Sequence, residues 1–184
     1  MAAGRTYLDW NATAPLFPEA REAVLRALDT IGNPSSIHAE GRAARAIVED
    51  ARASIAALVG GETENVVFTS GATEAANALL KQGLTGCCGK NMALAMPVLV
   101  GATEHVAVLA AAGDGRRARV DSDGIMDLDG LKSQLKETGP ALVALQLANN
   151  ETGVIQPIRA IADIVHAEGG ALVVDAVQAP GRIS

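Results

Sequence analysis

Several short segments of this 184-residue chain carry side chains that could do chemistry. In the first, Val66-Val67-Phe68 breaks at Thr69-Ser70-Gly71-Ala72-Thr73-Glu74 and continues into the helix-forming Ala75-Ala76-Asn77. Gly71 and Ala72 leave the backbone open to an anion, and Ser70 and Thr73 add hydroxyls. The first N–H groups of the helix lack acceptors and sit at the positive end of its dipole. A plain structural turn fits the same residues. In the second, Thr103-Glu104-His105 follows an apolar run, so an imidazole, a side chain suited to proton transfer, emerges at a strand end. The others are Asn149-Asn150-Glu151-Thr152-Gly153 and Val173-Val174-Asp175-Ala176-Val177-Gln178. Asp175 closes a buried apolar run, placing a carboxylate at the carboxyl end of a strand, where open α/β sheets bind ligands. An Asp that only caps a loop is the alternative.

Together these segments resemble the cofactor site of the cysteine desulfurases, pyridoxal-phosphate (PLP) enzymes of the class V aminotransferase group. The resemblance extends to Tyr7-Leu8-Asp9-Trp10-Asn11-Ala12-Thr13-Ala14-Pro15 and to Asn33-Pro34-Ser35-Ser36-Ile37-His38-Ala39-Glu40-Gly41, and it spans residues 7–182. Near the start the family pattern is Asp-Asn-Ala-Ala-Thr-Thr-Pro, from which Trp10, Asn11 and Ala14 depart.

The resemblance implies roles residue by residue. Ala72 and Thr73 would hold the cofactor phosphate. Asp175 would pair with the pyridine nitrogen and keep it protonated, Gln178 would donate to the phenolic oxygen, and Asn150 would reach the same side of the ring. His105 would stack on the ring and serve in proton transfer, as the catalytic residue. No metal is implied. The implied reaction takes L-cysteine to L-alanine and leaves its sulfur as a persulfide on an enzyme thiol, for delivery to a sulfur acceptor or iron–sulfur scaffold protein. A homodimer is implied as well, and the cytoplasm is the expected location because the N-terminal residues lack the apolar core of a secretory signal.

Family members are about twice this length, so the sequence is expected to be an N-terminal part of such an enzyme and inactive alone. The family's cofactor-bonding lysine, in a Ser/His-Lys-x-x-Gly-Pro context, matches none of Lys81, Lys90, Lys132 and Lys136. The small C-terminal domain and its nucleophilic thiol are not expected here either. Adjacent Cys87 and Cys88 are expected to be ordinary reduced thiols and not the nucleophile. Another class V enzyme, such as a selenocysteine lyase, would keep the fold and change the substrate; a non-catalytic binding or scaffolding fragment is the reading from another class. A nucleotide-binding domain would need a Gly-x-Gly-x-x-Gly or Walker loop, and neither occurs.

Composition sets the outer limits. With 49% hydrophobic and 20% charged residues the chain can bury a core, and a net charge of −6 without a basic stripe argues against nucleic-acid binding. No apolar run is long enough to span a bilayer, so no membrane role is expected. Arg116, Arg117 and Arg119 look like a solvated loop, and Asp121-Ser122-Asp123-Gly124 like a turn that lacks the remainder of a calcium loop.

The elements that must position these groups follow from periodicity. Residues 19–29 and 40–59 carry apolar positions at helical spacing, Val24 and Leu28 in one, Ile47, Val48, Ile55 and Leu58 in the other. Strands are expected at 66–69, 97–102, 141–147 and Ala171–Asp175, as apolar runs buried on both faces. Ile158, Ile161, Ala162 and Val165 trace a helix between the last two. The expected fold class is α/β, the large domain of a fold-type I PLP-dependent transferase, truncated, with a mostly parallel sheet wrapped by helices. Residues 1–15 are expected to form an N-terminal segment and 16–184 part of the large domain. His166 lies on the outer side of its helix and should be solvated, while His38 is open to a structural or a functional role.

Overall fold

Apolar runs without polar interruption need cover on both faces, and the chain supplies it with helices. The computed structural model describes residues 4–81 and 96–183; Cys87, Cys88, Lys90 and the glycine-rich stretch around them lie outside the described residues. The chain divides into two units, Met1–Phe68 and Thr69–Ser184.

The first unit contains helix α1 (Pro18–Leu28), helix α2 (Ala39–Val59) and a 3₁₀ turn, Thr63–Asn65. Pro begins α1, where its missing N–H costs nothing, with Glu19 in the first turn and Arg26 in the last to match the dipole. The N-cap of α2 is His38, whose Nδ1 accepts the Gly41 N–H at 3.3 Å, and the helix ends at Gly60 in the left-handed region (φ 67°). Both helices form as expected, but their apolar faces stay largely uncovered. No residue of α1 is buried, Leu28 is 75% exposed, and α2 buries only Gly41 and Ala56.

The expected strand at 66–69 does not form. A strand needs a neighbour for its backbone. Here the Val66 carbonyl accepts from the Arg52 guanidinium, which also lies 5.0 Å from the centre of the Phe68 ring, and Val67 is 79% exposed.

The second unit runs α3 (Ala72–Lys81), β1 (Val98–Gly101), α4 (Val106–Ala112), β2 (Arg116–Ala118), α5 (Leu128–Thr138), β3 (Leu142–Gln146), α6 (Ile158–Ala167), β4 (Ala171–Asp175). The four strands among its described residues form one sheet in the order β2-β1-β3-β4, every pair parallel. Two of the three arginines expected in a loop, Arg116 and Arg117, instead build β2 at the sheet edge, where both are exposed and only Ala118 is buried; Arg119 lies beyond the strand. Charged side chains suit a short edge strand because they discourage a further strand from adding.

Alternation along the strands sends side chains to two cores. Leu99, Val143 and Leu145 pack with Leu131 and Leu135 of α5 and Ile161 and Val165 of α6. Val100 and Ala144 face the other way, toward Ala76 of α3 and Val108 and Ala111 of α4. Helices therefore cover both faces, as the apolar runs require. Between β3 and β4 the expected strand, helix, strand unit forms. No helix among the described residues is long and apolar enough to cross a membrane.

The contrast between the units is measurable. Ile161, fully buried, should lose about 2–5 kcal/mol on replacement by Ala. Leu58→Ala, at a side chain 67% exposed, should change stability by no more than about 0.5 kcal/mol. Urea unfolding of both variants checks the difference, and equal losses would contradict the assignment of the core.

Candidate functional site

Because all four strands run the same way, their carboxyl ends share one edge of the sheet. β1 connects outward to β2 on one side while β3 lies on the other, so the strand order reverses between β1 and β3. Helices leave opposite faces at such a point and open a crevice at the strand ends. Residues 103–105 emerge from β1 into it, and 149–152 from β3. A cleft of about 350 Å³ is lined there by Thr103, Glu104, His105, Asn149, Asn150 and Glu151, among others.

Amide side chains hold its walls. Gln146, the last residue of β3, donates from Nε2 to the Thr103 carbonyl at 2.5 Å, and Asn149 donates from Nδ2 to the same oxygen at 3.0 Å. Asn149 Oδ1 accepts the N–H groups of Glu151 and Thr152, both at 2.8 Å, closing the turn that carries Asn150. His105 is exposed and caps α4, its Nδ1 accepting the Ala107 N–H at 3.2 Å. Nε2 therefore carries the proton of the neutral ring.

Glu104 is the unusual group. It is 7% exposed, its Oε2 has no hydrogen-bond partner among the described residues, and a Cβ at Gly101 beneath it would collide with its carboxyl. Burial pushes the carboxyl up to about 7; hydrogen bonding with the Gln146 backbone opposes the rise and the Asp175 charge adds to it. In register, Gln146 pairs with Asp175, so the Glu104 loop, the end of β3 and the end of β4 stand side by side.

A second cavity, of about 380 Å³, opens between α3 and β4. Gly71 and Ala72 lie at one part of its wall and Asp175 at another, with Ala76, Leu79 and Val173 between. Its volume is in the range of about 300–1,000 Å³ usual for small-molecule sites. The space over Gly71 is open, with no atom within 4 Å of where a Cβ would stand. Ser70 differs from expectation: its N–H bonds Glu74 Oε2 at 2.6 Å, and with its hydroxyl it holds the Glu74 carboxyl below the usual range. Its hydroxyl is thus engaged inside the turn, while the first N–H groups of the helix have no intrahelical acceptor. Asp175 itself is anchored by the Val177 N–H at 3.0 Å.

Four of the six sequence-derived site residues line one cavity or the other. Ala72 and Asp175 line the α3–β4 cavity, His105 and Asn150 line the β1–β3 cleft, and neither wall includes the exposed Thr73 or Gln178, whose Oε1 accepts from Arg182 at 2.5 Å. His38 is taken up by its capping bond and by Glu40, 3.0 Å away, and His166 is exposed. Residue types alone did not single out Gln146, Asn149 and Glu104. The available signal was Gln146, a lone amide ending an otherwise apolar strand, which must find a partner where it is buried.

Sheet order, crevice and paired cavities define an α/β protein whose candidate site residues gather at the carboxyl ends of parallel strands and the start of α3. The chain belongs to the class-V aminotransferase family, whose sequence pattern matches residues 6–184. It is 41% identical over 199 residues to a cysteine desulfurase of Frankia sp. (strain EuIK1), covering 96% of this chain and 45% of the relative. It is 37% identical over 185 residues to cysteine desulfurase IscS 1 of Archaeoglobus fulgidus, covering 96% and 47%. Among solved structures, a NifS-like protein from Rickettsia africae ESF-5 superimposes with a TM-score of 0.85 at 31% identity, over 96% of this chain and 49% of that one. The chain spans about half the length of the curated relatives it matches. The fold is that of the NifS-like proteins, as the resemblance implied.

Glu104 gives a pH signature. Its folded value, about 7, lies above the ordinary 4.5, so the native state binds its proton more tightly than the unfolded state does. That contribution is complete below about pH 4.5 and is lost as the pH rises through about 7, on the order of 3 kcal/mol in all. Glu104→Gln, which cannot ionise, should gain stability relative to the parent between pH 5 and 8, as read by urea unfolding at each pH. A constant difference across that range would contradict the buried protonated carboxyl.

Proposed function

We propose that this chain is part of a PLP-dependent cysteine desulfurase, with residues 16–184 contributing to its cofactor-binding domain. The observation that carries the reading is the α3–β4 cavity, which joins an open helix N-terminus to a carboxylate. That donor set fits an elongated ligand with an anion at one end and a protonated ring nitrogen at the other. Membership of the class-V family and the similarity to cysteine desulfurases favour PLP as that ligand.

In this reading the N–H groups at the start of α3, at Ala72 and Thr73, bind the phosphate. Asp175 holds a proton on the ring nitrogen, and Gln178 and Asn150 orient the ring through its phenolic oxygen. When bound, the cofactor supplies an electron sink for the substrate carbon. His105, with Nε2 carrying the ring proton, stacks on the ring and moves protons at the substrate. Cysteine and an enzyme thiol then give alanine and an enzyme persulfide: the carbon–sulfur bond breaks, a sulfur–sulfur bond forms, and the thiol proton balances the new C–H bond of alanine. The whole enzyme would work in the cytoplasm and pass its sulfur to an acceptor or iron–sulfur scaffold protein. Large side chains exposed in the first unit, among them Phe17 at 74% and Ile37 at 89%, support a homodimer.

Equilibrium dialysis of the chain with PLP, read by cofactor absorbance, tests this. Asp175→Ala should weaken binding about tenfold or more, equivalent to about 1.4 kcal/mol. Asp163→Ala, at an exposed position on α6, should leave binding unchanged. Equal affinity of the parent and Asp175→Ala would overturn the assignment.

A further inference from the structure

We propose that Glu104 is a positioning residue that acts through Asp175: it keeps a proton while Asp175 stands without a neutralising cation, and releases it to the cleft solvent when a cation pairs with that carboxylate. The second half of this statement rests on the cofactor reading, with a protonated ring nitrogen as the cation; the first does not.

The geometry is a row of strand ends. The Thr103 carbonyl is clamped by the Gln146 and Asn149 amides, which fixes the residue that follows it. Gln146 is in register with Asp175 on β4. Glu104, at the exit of β1, is therefore separated from that carboxylate by the end of β3 alone, and is buried, with the absence of a side chain at Gly101 making room for it. Its Oε2 meets no donor among the described residues, which is costly for an ionised carboxylate and tolerable for an acid. The titratable groups around it are Asp175 from β4, His105 beside it and Glu151 from the turn after β3; no lysine or arginine among the described residues lines the cleft. A negative neighbour opposes ionisation of Glu104, and neutralising that neighbour must favour it, by reciprocal linkage. The balance is a single step: the Glu104 O–H bond breaks, its electron pair stays on the carboxylate and the proton goes to water in the cleft.

Carboxyl ¹³C NMR titration of the whole chain tests the coupling, with Glu104→Gln identifying the resonance. Asp175→Asn and Asp175→Ser both remove the charge while keeping an acceptor for the Val177 N–H, so one can stand in if the other unfolds. The Glu104 midpoint should fall by on the order of half a unit to one unit in either variant. An unchanged midpoint in a folded variant overturns the proposal. Adding PLP to the parent chain should lower the midpoint in the same sense. A fall with the Asp175 variants and none with PLP would uphold the coupling and count against the cofactor reading.

Discussion

The Thr103 carbonyl, shared by the Gln146 and Asn149 amides, is the contact on which the site depends. It ties the exit of β1 to the exit of β3 where the two connections diverge, so the cleft keeps its width and His105 its place. Both amides are buried. Losing the shared acceptor would leave each unsatisfied, at roughly 1–3 kcal/mol apiece. Gln156 does similar work nearby, accepting the Met126 N–H at 2.8 Å and donating to the Gly124 carbonyl at 2.8 Å, which binds the turn after β2 to the segment leading into α6. The crevice is thus framed by neutral hydrogen bonds, and charge is confined to a few carboxyl groups.

Those carboxyl groups divide the work. Glu74 stays inside the turn that starts α3, held by Ser70, and so tightens the α3 end of the cavity. Asp175 ends β4 with its carboxylate fixed by a backbone N–H. Glu104 is pushed toward the neutral form by burial and by Asp175. Environments that separate carboxyl groups in this way are a general means of placing acid and base functions within one small site.

Much of the fold was legible because parallel strands covered on both faces leave uninterrupted apolar runs: 97–102, 141–147 and Ala171–Asp175 contain β1, β3 and β4. The same signal failed at 66–69, where the residue types suit a strand but the backbone bonds elsewhere, to Arg52. It missed β2 because two of its three residues are arginines, and an edge strand is defined by its neighbour more than by its own composition. Periodicity found α1 and α2, yet their apolar faces remain exposed, since periodicity reports which face wants cover and not what provides it. In the site, motif spacing brought Gly71, His105, Asn150 and Asp175 to attention. Glu104 was passed over because its properties come from register and burial, which spacing does not encode.

Amide chemical-shift mapping with PLP on the labelled chain tests the central claim, that ligand groups gather at the carboxyl ends of β1, β3 and β4 together with the start of α3. Perturbations should centre on Gly71 to Thr73 and on Asp175 to Val177, reaching Thr103 to His105 and the turn at Asn150. Shifts confined to β2 and α5, or spread evenly over the surface, would contradict the account.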